Sequence, residues 1–290
     1  MSNKNSDMLL KIFIVIVIVP AVFATLLPFI NIIAISMSDA KSIMSNKVSL
    51  FPVGFSLDSY KVVFDNIAMI ESLGFTVVLT LLYTVICMVM TVCAAYPLSK
   101  SRLKGRKVFT VIIIFTMYFS GRTIPDYILM RELKILNTMW CLILPGMISV
   151  YNMIILKGFI SSVPSSLEEA AQIDGANDFQ VLLRIILPLS TSVLATVSLF
   201  YAVSRWNTFQ DALFYITNPK YYTLQLMLNK IINMTQTGEI AQNEGVNQTN
   251  LVPENIKAAS IVFATLPILL VYPWLQKYFV SGVMIGAVKG

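Results

Sequence analysis

The sequence predicts an all-α, polytopic membrane protein with six transmembrane helices, and three observations carry that prediction. Of 290 residues, 57% are apolar and only 12% charged, against about 45–50% and about 25% in soluble domains. Mean hydropathy is +0.76. Charged residues also bracket apolar runs near the roughly 20 residues a helix needs to cross a bilayer. Lys11 opens a run free of Asp, Glu, Lys and Arg to Met37, and Glu71 opens another to Ser99. Lys107 precedes the short run Val108–Gly121, which must borrow from Arg122–Arg131 to cross. Ile135–Leu156, Ile185–Ser204 and Ala258–Gln276 complete the set. The expected spans are 11–37, 72–98, 108–131, 136–157, 185–206 and 258–278, within one domain covering 1–290.

The first run is read as a retained helix, because its apolar stretch is about twice a signal-peptide core. Pro20 and Pro28 predict bends in it. With the N-terminus inside, inner and outer segments hold 11 and 10 of the 21 cations, so the total does not orient the chain. The short loop Lys100–Lys107 (KSRLKGRK) does, with five cations in eight residues and no acid. Short loops carry the positive-inside signal, so both termini are expected in the cytoplasm. Two outer loops remain, 38–70 and 211–254. In the first, Tyr60, Val63 and Phe64 share one helical face, and a short helix lying on the outer membrane surface is expected. The second has a polar Asn/Gln/Thr-rich middle with Glu239, Glu244 and Glu254, and is expected to protrude.

Several functions are excluded. There is no histidine, the commonest general base and metal ligand. Cys87, Cys93 and Cys141 lie in apolar runs outside any CxxC pair, so no metal site or disulfide is expected. No GxxxxGK[ST] phosphate loop occurs. Asp126, at half depth, is the only acid inside a span, whereas ion-coupled transport calls for acids at mid-membrane. No nucleic-acid partner and no catalytic residue are expected.

The informative segment is the inner loop 161–188, SSVPSSLEEAAQIDGANDFQVLLRIILP. Ser165 with Glu168, and Ser166 with Glu169, fit capping boxes after Pro164. Glu168–Asp174 makes about two helical turns, and Gly175 supplies the residue that ends them. Phe179, Leu182, Leu183 and Ile186 lie at i, i+3, i+4, i+7 and are expected to face an apolar surface. Pro188 then resets the chain into the fifth span.

Glu169-Ala170-Ala171, three residues, Gly175, nine residues, Ile185, one residue and Leu187-Pro188 resemble the EAA motif of bacterial ABC-importer permeases at every fixed position. Gln172-Ile173-Asp174-Gly175-Ala176, Leu136-Asn137-Thr138, Trp206-Asn207 and the terminal Gly286-Ala287-Val288-Lys289-Gly290 are similar to the carbohydrate-importer branch, and to its complex-oligosaccharide permeases most of all. The resemblance implies the type I ABC-importer permease fold and a place in the bacterial cytoplasmic membrane. It implies a second homologous permease, two ATPase subunits that bind ATP and Mg, an extracellular or periplasmic sugar-binding protein and an oligosaccharide substrate; this chain itself holds no cofactor. Residues Glu168, Glu169, Ala170, Ala171, Asp174, Gly175, Ile185, Leu187 and Pro188 would form the ATPase-coupling element. Import of an amino acid, polyamine or peptide is the alternative within the family, and an ion-coupled secondary transporter the alternative outside it.

A solute path needs hydroxyl partners and aromatic faces. Ser198, Tyr201 and Arg205 share one face of the fifth span, with Trp206 beside them, and Asn152 sits deep in the fourth. Arg122 and Asp126, four apart on the outer half of the third span, are candidates for an outer vestibule. In the second span Thr76, Thr80, Tyr83, Thr84, Cys87 and Thr91 form a polar stripe, where hydroxyl bonds to i−4 carbonyls are the expected use. Trp140, Trp206 and Trp274 lie near span ends, as interfacial aromatics do.

Overall fold

Apolar runs of this length satisfy their backbone polar groups internally only as helices, and the computed structural model is helical with no strand among the residues it describes, 4–119, 121, 123–237 and 252–287. Arg122, Glu239 and Glu244 lie outside those residues, as does the side chain of Trp274. Three helices are each long and apolar enough to cross a membrane: α1 (Lys4–Ser36), α4 (Ile67–Ser99) and α15 (Pro253–Ala287). Three bent pairs have the length and apolarity of further crossings: α5 (Arg106–Tyr118) with α6 (Thr123–Glu132), Trp140–Gly146 with α8 (Val150–Ser162), and Asp178–Leu189, which holds α10 (Asp178–Val181) and α11 (Leu187–Leu189), with α12 (Thr191–Asn207). Trp140–Gly146 comprises α7 (Trp140–Ile143) and a 3-10 turn. The count of six spans holds if each pair is one crossing, but the expectation of six single helices does not.

Specific residues cause the breaks. The fourth span turns by 52° before Val150, where Ser149 takes an extended conformation and caps α8 by accepting from the Asn152 amide at 3.3 Å. The fifth turns by 83° at Ser190. Pro188 lacks the N–H that a continuing helix requires, and a π turn over Leu182–Ile186 precedes it. Ile185–Leu189 therefore belongs to the helix leaving the inner loop rather than to a straight span over 185–206. Ser190 is fully buried, and its hydroxyl has no partner among the described residues.

Two compact units emerge. One holds the described residues up to Ile70 and those within Leu228–Leu266. There α2 (Ala40–Met44) is capped by Asp39, which accepts from the Ser42 amide at 3.0 Å. The expected short helix is α3 (Asp58–Asp65), and its apolar face packs in part on protein, with Phe64 still 58% exposed. Tyr60 Oη bonds Ser36 Oγ at 2.7 Å, Val63 is buried, and Phe64 meets Phe263 edge-on at 5.4 Å. Asn255 Nδ2 donates to the Ser38 carbonyl at 2.7 Å.

The other unit holds Glu71–Met227 and the residues from Pro267 on. Its core gathers Leu79, Tyr83 and Cys87 of α4, Leu142 and Ile143 of α7, Met153, Leu156 and Ile160 of α8, and Val193, Val197 and Tyr201 of α12. The segment expected as an open outer loop is partly helical, with α13 (Gln210–Tyr215) and α14 (Leu224–Thr237). Buried Leu224 and Leu226 anchor the start of α14, and Thr76 Oγ1 accepts from the Leu224 amide at 2.8 Å.

The break in the fourth span depends on one close approach. Tyr83 Oη donates to the Gly146 carbonyl at 3.0 Å, and a Cβ on Gly146 would collide with that same oxygen. Gly146→Ala is expected to cost about 1–3 kcal/mol by overpacking, and less in a Tyr83→Phe background; thermal melts of the two variants and their combination in detergent measure both.

Candidate functional site

The segment expected to couple to an ATPase is built from two short helices joined by a tight turn. α9 (Ser165–Ile173) starts one residue earlier than the capping-box reading required. Pro164 supplies the fixed φ of the N-cap position, so Ser165 and Ser166 lie inside the first turn and cap nothing. The capping box forms instead between Asn177 and Gln180, each side chain accepting from the other's amide at 2.9 Å, at the start of α10 (Asp178–Val181). Between them α9 ends in a Schellman motif. The Ala176 amide donates to the Ala171 carbonyl at 2.9 Å and the Gly175 amide to the Gln172 carbonyl at 3.1 Å, with Gly175 at φ +84°.

This geometry divides the motif residues. Glu169, Ala170, Asp174 and Gly175 are exposed, and Ile173 is 86% exposed, a residue that sequence reasoning did not single out. Ala171 is half-buried and, with Ala176, packs against the protein's own core. Its small side chain therefore serves close approach to its own spans. Glu168 pairs with Lys100. Beyond the turn, Val181, Leu182 and Ile186 are buried while Phe179 and Leu183 are exposed, which corrects the expected apolar face: the π turn at Leu182–Ile186 shifts the helical phase that a regular helix would keep. Leu187 packs on the core and Ile185 is half-buried, while Pro188 is exposed.

The loop KSRLKGRK, read from sequence for orientation alone, wraps this element. Lys100 pairs with Glu168, and Arg102 with Asp178. The Arg102 guanidinium holds the Asp178 carboxyl below the usual carboxylate range, and the bond raises Arg102 in turn. Tyr96 Oη donates to the Asp178 carbonyl at 3.2 Å. The signal available in the sequence was a run of cations facing a loop with three acids at 168, 169 and 174 and a fourth at 178.

A second site lies where the fourth span breaks. Tyr83, Ser149, Tyr151, Asn152, Phe200, Tyr201 and Ser204 line an open cleft of about 400 Å³. Of the expected path residues, Asn152 and Tyr201 are there. Tyr201 also bonds Thr91 Oγ1 at 2.7 Å and accepts from the Ser149 amide at 2.9 Å. Ser198 is half-buried outside the cleft. Arg205 is committed elsewhere. Its side chain is 4% exposed and pairs with both Asp211 oxygens at 2.5 and 2.9 Å. It also donates to the Leu142 and Thr208 carbonyls at 3.0 and 3.2 Å. Trp206 lines an apolar pocket with Val77, Leu81 and Pro267. Asp126 is half-buried on α6, and its expected partner Arg122 lies outside the described residues. In the second span Thr76 and Thr84 do bond their i−4 carbonyls, while Tyr83 and Thr91 reach other helices.

Three helices long and apolar enough to cross a membrane, with three bent pairs beside them, define a membrane-protein architecture. The chain matches the family of binding-protein-dependent transport system inner membrane components over residues 80–285 and belongs to it. It is 39% identical, over the full length of both chains, to the polygalacturonan/rhamnogalacturonan transport system permease YtcP of Bacillus subtilis (strain 168). It is 43% identical to protein LplC of the same organism, over 92% of this chain and 90% of that one. In structure it is similar to a bacterial ABC transporter involved in the import of the acidic polysaccharide alginate, at a TM-score of 0.85 and 31% identity, covering 96% of this chain and 99% of that chain. The protein is thus an ABC-importer permease of the inner membrane, a transport subunit rather than an enzyme.

Two predictions follow from the site. With nothing within 4 Å of a Cβ built at Gly175, the cost of replacing it is backbone strain alone, of about 1–2 kcal/mol for left-handed backbone, and least for Asn. Gly175→Asn should therefore keep more uptake than Gly175→Val at equal expression. Removing one partner of the buried pair, by Arg205→Met or Asp211→Leu, should cost about 3–5 kcal/mol and lower the melting temperature more than both changes together.

Proposed function

We propose that the protein is the permease for an oligosaccharide, and that it works with a second homologous permease, two ATPase subunits and a sugar-binding protein. The single observation that carries this reading is the inner-loop helix α9. It is stiffened at both ends, pinned to its own spans through Glu168 and Asp178, and leaves Glu169, Ala170 and Ile173 facing outward. A helix so held suits the surface of a moving partner. ATP and Mg bind to the ATPase subunits, whose closure moves α9. Leu187 and Pro188 pass that motion to the fifth span, and the bundle alternates between inward- and outward-open states about a site near the midplane.

The class of solute follows from the cleft and from the relatives. The lining of the fourth-span break offers hydroxyls, an amide and aromatic faces, and no charged side chain, which suits the hydroxyls and faces of a sugar. Within it Asn152 and Ser204 are the proposed solute contacts and Tyr201 a wall. Relatives named for polygalacturonan/rhamnogalacturonan and arabinooligosaccharides, and the alginate importer in structure, support the sugar over an amino acid, polyamine or peptide. Both termini are assigned to the cytoplasm on the cation-rich loop Lys100–Lys107.

The importer reconstituted with all its subunits should take up oligogalacturonates, alginate oligosaccharides or maltodextrins from a labelled panel in an ATP-dependent way, and leave amino acids and polyamines outside. Uptake of the amino acid arm alone would overturn the substrate class. In a Cys93→Ser background, Lys104→Cys should react with an impermeant thiol reagent only from the cytoplasmic face; reaction from outside inverts the topology.

A further inference from the structure

We propose that Lys100 is a positioning residue for the coupling helix, and that through it α9 drives the second span as well as the fifth. This rests on the coupling reading of residues 161–188. The side chains of Lys100 and Glu168 are only 12% and 17% exposed, and they are 68 residues apart in sequence. Lys100 Nζ also lies 4.3 Å from the centroid of the Tyr96 ring, so the ammonium is held between a carboxylate and an aromatic face. The neighbouring pair, Arg102 with Asp178, is over half exposed on both sides, and exposed pairs contribute little. The sheltered pair is therefore the mechanical link.

Besides the fourth span, which α9 follows directly, α9 is linked to the fifth and, through Lys100, to the second, and these two routes differ in stiffness. The route to the fifth passes a π turn, Pro188 and an 83° bend at Ser190 before α12 begins. Bending there can absorb a displacement. Lys100 directly follows α4, which runs 33 residues as one helix with Pro97 in its last turn, so a pull on Lys100 reaches the cleft without passing the 83° bend of the other route. The last turns of α4 are buried in the same cluster as Val181 and Ile186 beyond the coupling turn. Further along, α4 carries Thr91, bonded to Tyr201, and Tyr83, which lines the cleft and holds the Gly146 carbonyl. The structure thus connects α9 to the cleft walls through Lys100 by way of one helix.

The test uses the complete importer in proteoliposomes, with the panel oligosaccharide that the unmodified importer takes up. Lys100→Glu, Glu168→Lys and the combined charge swap are compared by ATP hydrolysed per sugar transported, together with ATPase subunits bound per permease. Each single variant should raise the ATP consumed per sugar at least about fivefold, the low end of typical coupling between sites, with the ATPase complement unchanged. The swap should return the ratio to near the unmodified value, a rescue that loss of fold would not show. Unchanged coupling in the single variants, or a swap no better than the worse of them, overturns the inference. Should Lys100→Glu fail to assemble, Lys100→Met with Glu168→Gln removes both charges without leaving either unpaired; it should raise the same ratio, and an unchanged ratio overturns the inference. Disulfide cross-linking of Ile173→Cys to the ATPase separates the two levels. Failure to cross-link overturns the coupling reading itself, whereas cross-linking alongside fully coupled single variants overturns only the role of Lys100.

Discussion

A carbonyl or amide left bare in lipid costs several kcal/mol, so irregular backbone at membrane depth survives only where protein groups satisfy it. Three of the six crossings are broken, and the architecture of this permease is largely the answer to that constraint. Around the break in the fourth span, Tyr83 and Arg205 serve the carbonyls of Gly146 and Leu142, and Tyr201 serves the Ser149 amide. The donors come from the second and fifth spans, which are thereby tied to the fourth. A chain built of straight helices would need none of these bonds and would have no cleft between Ser149, Asn152 and Tyr201.

The same side chains thus do two jobs, and this explains why Arg205 lies on the expected solute face without being a solute ligand. Both terminal nitrogens of its guanidinium are committed to two carbonyls and to Asp211. The pair lets a cation sit inside the bundle at tolerable cost, since a buried charge needs both a counter-charge and hydrogen bonds. What remains open to a solute is uncharged, from Ser149, Asn152 and Ser204.

Apolar run length and bracketing charges were enough to find the three long helices, Phe13–Ser36, Ile67–Ser99 and Pro253–Pro273, because hydropathy counts residues along the chain. Hydropathy carries no direction, so the turns at Ser190 and before Val150 were not legible, and neither was the phase shift that exposes Phe179. The turn between α9 and α10 was readable through Gly175, whose positive φ only glycine adopts readily. Its attachment was not: Lys100 and Glu168 meet across 68 residues of sequence, and no local pattern announces such a contact. The amphipathic start of α14 was masked by the polar stretch that follows it. The helix at Asp58–Asp65 was foreseen, but its contacts with Ser36 and Phe263 were not, because one apolar face fits protein and lipid equally well.

The chain contains no histidine, and the two ion pairs around the inner-loop helix use lysine, arginine and carboxylates alone. For Asp178, lowered by its arginine, the paired form is present throughout the neutral range and is lost only on acidification beyond the point where a free aspartate would already have taken up its proton. Fluctuations in cell acidity around neutrality, which would switch an imidazole-based latch, therefore leave the Arg102–Asp178 pair intact.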